Sequence, residues 1–107
     1  MRRKVGKIRF YHRTTVETAR MILREGFRDD EGSYLTERTF RGVWVSDRPL
    51  DSNEGTKEGA LMVLDVDLPP RQLAKWEWVE EGKTYREWLI PASVLNQHSR
   101  VRLDPDG

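Results

Sequence analysis

The sequence has 107 residues, room for one domain with one core and not for two. Hydrophobic residues make up 36% and charged residues 35%, and four Trp, three Tyr and three Phe carry much of the apolar surface, which argues for a small packed core and against a disordered tail. A formal charge of +1 gives no global attraction to nucleic acid or anionic lipid, so any charged ligand must be held by a local patch.

The chain has no cysteine, which excludes a disulfide scaffold, a thiolate nucleophile and a Cys-based zinc site. The longest mainly apolar stretch, 59–68, is broken by Asp65 and Asp67 and falls far short of the roughly 20 residues of a membrane helix. The basic start, Met1 to Lys4, leads into Gly6, Lys7 and Arg9 rather than an apolar run. It reads as a mature cytoplasmic start or an exposed basic arm, with no membrane partner.

In chain order, Ile8 to Tyr11 predicts a strand that ends at the polar cluster His12, Arg13, Thr14 and Thr15. Thr14 and Glu17 read as a capping box, and Val16, Ala19, Ile22 and Leu23 recur at helical spacing until Gly26. Gly26 suits the left-handed position past the last turn, and Phe27 can fold back onto the helix end. Residues 28–40 read as a loop with one short irregular strand, and Gly42 to Ser46 as a strand closed by Asp47, Arg48 and Pro49. Leu50 to Gly59 reads as a loop or short helix.

Ala60 to Val66 is apolar except for Asp65, the pattern of a central strand covered on both faces and stopped by Pro69 and Pro70. Trp76 to Val79 and Tyr85 to Ile90 predict two strands of a hairpin around Glu81-Gly82. Ala92 to Asn96 predicts one helical turn and Val101 to Leu103 a last strand. One main N-terminal helix and five or six closely spaced strands specify an α+β domain over 1–107, not a doubly wound parallel sheet.

His12 and His98 are far apart in sequence with no carboxylates at ligand spacing, which argues against a dedicated metal site. Asp51, Asp65 and Asp67 fit a solvent-facing role better than a magnesium site. There is no Gly-rich phosphate loop and no Gly-x-Ser-x-Gly elbow. Three residues stand out by position. His12 sits where strand gives way to helix. Trp44 faces opposite to Val43 and Val45. Glu87 shares a face with Tyr85 and Leu89 while Trp88 and Ile90 fill the other. Each also has an ordinary structural role open to it: a hydrogen bond at the helix start, a core tryptophan, and a salt bridge to an arginine.

The blocks Tyr11-His12-Arg13-Thr14, Gly42-Val43-Trp44-Val45-Ser46 and Tyr85-Arg86-Glu87-Trp88-Leu89-Ile90-Pro91 resemble, in order and rough spacing, the three signature blocks of the ADP-ribosyltransferase superfamily. The resemblance implies a small split β-sheet domain that binds NAD and transfers ADP-ribose to a macromolecular acceptor with release of nicotinamide. It implies Glu87 and His12 as catalytic, with His12, Arg13, Thr14, Gly42, Trp44 and Ser46 on the NAD-binding side.

By the same resemblance His12 would bind the nicotinamide-side ribose, Thr14 would support the turn, and Trp44 would line nicotinamide. Glu87 would accept from the ribose 2′-hydroxyl and stabilise positive charge at the opening glycosidic bond. Arg13 stands where many members have glycine, Trp44 where tyrosine is usual, and Tyr85 where arginine-modifying members carry a second acid or glutamine.

Arg9, Arg13, Arg38, Arg41 and Arg48 flank these blocks and could neutralise a pyrophosphate. The expected acceptor is a protein rather than nucleic acid, because Tyr34 and Phe40 are not joined to a compact basic stripe; an RNA 2′-phosphotransferase-like reading is a minor variant. The rival function is a catalytically silent interaction domain on the same fold, with Trp76 and Trp78 presented on one strand face. Composition allows a homodimer without requiring one. Whether the product is a toxin, an effector or a housekeeping modification stays open.

Overall fold

The structure, a computed structural model, describes residues 7–33, 39–49 and 59–104. The segment 50–58, read above as a loop or short helix, lies outside the described residues, as do Met1 to Lys4, Tyr34, Arg38 and Asp51. The elements are β1 (Ile8–Thr14), α1 (Val16–Glu25), β2 (Asp30–Ser33), β3 (Thr39–Ser46), β4 (Ala60–Val66), α2 (Pro70–Ala74), β5 (Glu77–Trp78), β6 (Glu87–Ile90), α3 (Ala92–His98) and β7 (Ser99–Asp104). Among the described residues these make an α+β domain. Its antiparallel sheet runs β5-β6-β3-β1-β4-β7, with β2 paired to the first half of β3.

The first strand runs farther than its apolar residues suggest, because Arg13 pairs with Leu61 and Thr14 with Ala60 of β4. That displaces the helix cap by one residue. Thr14 stays in the strand, and the Thr15 hydroxyl accepts from the Thr18 backbone N–H at 3.1 Å. Gly26 ends α1 at φ 91° and donates its N–H to the Ile22 carbonyl at 2.7 Å, and Phe27 turns back into the core at 5% exposure.

At the other side of the same junction, Gly59 sits at φ +145°, where a Cβ would lie 2.1 Å from the Thr14 carbonyl oxygen. Only glycine lets β4 start beside the end of β1.

β4 is central, paired antiparallel with β1 on one side and β7 on the other, and buried on both faces except at Asp65, as a run that is apolar but for that residue requires. One face carries the main core: Phe10 packs its ring 4.6 Å from Trp88, with Val43, Val45, Met62, Leu64 and Ile90 around them. All three helices bury residues in this cluster, Ala19 and Ile22 from α1, Leu73 from α2, Ala92 and Leu95 from α3.

Two short helices depart from the sequence reading. Pro70 opens α2 rather than only stopping β4, since proline costs nothing in a first helical turn whose N–H has no partner. α3 continues to His98, and its Ala92 N–H is capped at 2.7 Å by Asp29, a residue 63 positions earlier that no local pattern reveals. The β5–β6 hairpin forms as expected, but β5 is only two residues long. Trp76 therefore precedes it and packs on the core instead of sharing one displayed face with Trp78.

The sheet is not uniformly closed. β1 and β4 pair along seven positions and β3 and β6 along four, whereas β1 and β3 meet at the single pair Tyr11 and Ser46. Beyond that pair the two strands part, and the sheet opens into two leaves.

Candidate functional site

The opening between the leaves is a cleft of about 500 Å³, within the usual range for small-molecule sites. One wall is α1, through Thr15, Thr18, Met21 and Ile22, continuing into Gly26, Phe27 and Arg28. The strands contribute Tyr11, His12, Arg13, Thr14, Val43, Trp44, Val45 and Ser46, and the β5–β6 side adds Tyr85 and Glu87.

Strand alternation puts His12 on the same face as Phe10, while Ser46 and Glu87, paired across β3 and β6, lie on the other face with Trp44. They line one space because the cleft passes where the sheet is parted. His12 spans the gap: its Nδ1 lies 2.7 Å from the Trp44 carbonyl oxygen. A carbonyl only accepts, so this contact selects the ring with hydrogen on Nδ1, and in a neutral ring Nε2 is then an acceptor. The imidazole also packs edge-on against Phe27, centroids 5.8 Å apart, which fixes its plane.

Trp44 is not a core tryptophan. It is 37% exposed and held edge-on by Trp78 at 5.4 Å, so a face of the indole borders the cleft. Ser46 lines the cleft too, but its Oγ donates to the Arg48 carbonyl at 2.8 Å, with the Tyr11 carbonyl at 3.4 Å. Its hydroxyl is engaged in holding the seam. Arg13, the departure from glycine, lines the cleft beside Thr14.

Gly42 is the one expected site residue that the cleft does not include. It is buried at φ +151°, where a Cβ would come within 3.0 Å of the Ile90 carbonyl oxygen and the Leu89 side chain. Its need for glycine comes from packing β3 against β6.

Glu87 is largely withdrawn from water, its side chain 14% exposed, and the partner of its Oε1 is Lys83 rather than an arginine. The Lys83 ammonium lies 3.5 Å from Glu80 and 5.4 Å from the Tyr85 ring centroid. Burial pulls the Lys83 pKa down, but the hydrogen bond and charge of Glu87, with Tyr85 and Glu80 adding, leave it above the ordinary lysine value, so it stays a cation.

The sequence reading placed Tyr85 beside Glu87 and Phe27 at the helix end without giving either a part in the site, and it missed Lys83. Tyr85 was legible from its face shared with Glu87. The Lys83 contact was not, because residues four apart meet in a helix and these are joined by an irregular turn.

The flanking arginines divide in role. Arg9 is tied to Asp65 at 2.9 Å, and Arg48 lies 5.5 Å from the Tyr85 ring centroid and donates to Thr84 at 3.1 Å. Among the described residues there is no group of three or more His, Asp or Glu able to hold a metal ion, and no helix is long and apolar enough to cross a membrane. Compared with protein-family models, curated protein sequences and solved structures, the chain matches none.

Proposed function

We propose that this domain binds the nicotinamide end of NAD in the parted sheet and transfers ADP-ribose to a macromolecular acceptor, as in an ADP-ribosyltransferase-like split-sheet domain. The observation that carries the reading is that His12, Trp44 and Glu87, drawn from three separate strands, line one cleft of about 500 Å³. The room suits a planar ring with its ribose, and the lining suits it chemically: an indole face, an oriented imidazole and a carboxylate.

The residues divide the work by what each can do. Trp44 supplies a wall for the planar leaving group. His12, fixed through Nδ1 and Phe27, presents its ring edge to a ribose hydroxyl. Glu87, its Oε1 held by Lys83, has Oε2 to accept from a 2′-hydroxyl and to oppose positive charge at the anomeric carbon. In the reaction the N-glycosidic bond breaks and its electron pair leaves with nicotinamide. An acceptor oxygen or nitrogen then bonds the anomeric carbon and gives its proton to solvent.

The test is nicotinamide release from NAD with cell extract as acceptor source, alongside NAD binding by calorimetry. Wild type is expected to bind and release; Glu87→Gln is expected to bind with similar affinity and lose about a hundredfold or more of the release rate. Absence of both binding and release in wild type rejects the reading.

One observation favours a second reading, a silent interaction domain. The Lys83 ammonium already neutralises Glu87, the charge that the chemistry needs. Binding of NAD or nicotinamide without turnover, unchanged in Glu87→Gln, would select it.

A further inference from the structure

The β5–β6 hairpin brings a further set of contacts to the cleft. Trp78 pairs with Glu87 across β5 and β6, and Glu87 with Ser46 across β6 and β3, so the three form a row on one face of the sheet. Trp44 stands two residues before Ser46 and shares that face. The Trp44 and Trp78 rings, with centroids 5.4 Å apart, therefore meet over β6, the strand that carries Glu87.

Trp78 is tied in turn to Glu80. Its indole Nε1–H donates to Glu80 Oε1 at 2.6 Å, a short, charge-assisted bond. The same oxygen lies 3.5 Å from the Lys83 ammonium, which also bonds Oε1 of Glu87. One carboxylate oxygen thus touches both the ring that holds Trp44 and the cation that holds Glu87. The stem of the hairpin is fixed by other groups: Arg86 forks onto Glu77, and Asp47 accepts from the Arg86 backbone N–H. The contacts of Glu80 are additional to those that close the hairpin.

An exposed ion pair contributes little by itself, and the Glu80 side chain is 41% exposed. The side chains of Lys83 and Glu87 are only 18% and 14% exposed, so the sharing of the ammonium is felt where water screens it least. Two carboxylates divide one cation, and the three groups together keep a net negative charge. Without Glu80 the ammonium would face Glu87 alone and cancel the charge that an opening glycosidic bond needs.

We propose that Glu80 is a positioning residue for both halves of the site: its Oε1 anchors Trp78, and through it the Trp44 wall, and it draws part of the Lys83 charge away from Glu87. The anchoring belongs to the fold alone. Its effect on rate rests on the proposed transferase reading.

Two substitutions separate the tasks. Glu80→Gln keeps an oxygen for the indole N–H and removes the charge from Lys83, whereas Glu80→Ala removes both; circular dichroism should be unchanged in each, since Glu80 is exposed just past β5. The indole N–H signals in the NMR spectrum of the isotope-labelled protein without NAD, assigned through Trp44→Phe and Trp78→Phe, read the anchoring. Glu80→Ala is expected to move the signals of both Trp78 and Trp44, and Glu80→Gln to move Trp78 and leave Trp44 in place. In nicotinamide release, Glu80→Gln should lower kcat about tenfold with KM for NAD changed less than about twofold, and Glu80→Ala should raise KM as well because the wall loosens. Added to Lys83→Met, Glu80→Gln should alter the rate by less than about twofold, since no ammonium is left to share.

A Trp78 signal indifferent to Glu80→Ala overturns the inference. So does release by Glu80→Gln equal to that of wild type, or a loss as large on Lys83→Met as on wild type. Wild type that releases no nicotinamide with any acceptor removes the transferase reading instead, and the indole signals then decide alone: Trp44 moving in Glu80→Ala sustains the inference, and Trp44 unmoved overturns it.

Discussion

Lys83 governs how Glu87 meets anything in the cleft. A carboxylate with a side chain 14% exposed needs a partner, and an ammonium fixed on Oε1 supplies one while directing Oε2. Lys83→Met lets the carboxylate swing and leaves it without its counter-ion. Nicotinamide release is expected to fall between about tenfold and a hundredfold with NAD binding changed much less, the signature of lost positioning rather than lost contact. Lys83→Arg should recover part of the rate because it restores the cation. A Lys83→Met rate above wild type would instead identify the ammonium as a competitor for the site, in line with the silent-domain reading. His12, Trp44 and Glu87 were legible because they interrupt local patterns: a ring at a strand end, an indole opposite two valines, an acid between apolar neighbours. Lys83 interrupts nothing, since a lysine in a polar turn is unremarked until the fold closes over it.

The wall of the cleft formed by α1 depends on the segment that follows it, and that segment is stapled to α3. Asn96 accepts from the Phe27 N–H at 2.7 Å and donates to the Phe27 carbonyl at 3.0 Å, while Asp29 caps Ala92. Asn96→Leu breaks both bonds and strands a half-buried backbone N–H and C=O. It is expected to cost about 1–3 kcal/mol in chemical denaturation, and to weaken NAD binding because Phe27 braces His12. Gly26 belongs to the same arrangement: a Cβ there would sit 3.0 Å from the Asn96 Oδ1, and its φ of +91° disfavours any other residue. Strands with strong alternation or a nearly continuous apolar run, β3 from Gly42 on, β4 and β6, were readable in the sequence because one residue in two, or almost every residue, reports its own burial, whereas the start of β3 at Thr39 falls in the stretch read as a loop. The end of β1, the Thr15 cap, α2 and the Asp29 cap were not. Each is decided by a partner far along the chain: Ala60 pairing with Thr14, the core receiving Leu73, Asp29 reaching Ala92.

Over the whole molecule, ion pairs on the two leaves set the response to acid. Arg86 forks onto Glu77 at 2.7 and 2.8 Å, and its hydrogen bonds, then its charge, hold the Glu77 carboxyl below the ordinary range against the opposing effect of burial. Asp65 is lowered in the same direction, first by the hydrogen bond from Arg9 and further by the charges of Arg9, Arg102 and Lys7, again against burial. A carboxylate with a folded pKa below its unfolded value contributes stability above the unfolded value and loses it as pH falls through the folded one. Denaturation midpoints should therefore hold from neutrality to about pH 5 and decline on acidification below about 4. Glu77→Gln should shorten that decline by under about 1 kcal/mol, since the Arg86 end is exposed. The parted sheet has a dynamic consequence as well. Past Tyr11, the amides of β1 that point at β4 belong to a continuous ladder, while those that point at β3 face the gap, so neighbouring residues of one strand should trade hydrogen for deuterium at rates that alternate. Ligand seated between the leaves would slow only the fast half of that alternation, giving a footprint with a period of two residues that distinguishes occupancy of the gap from a general tightening of the protein.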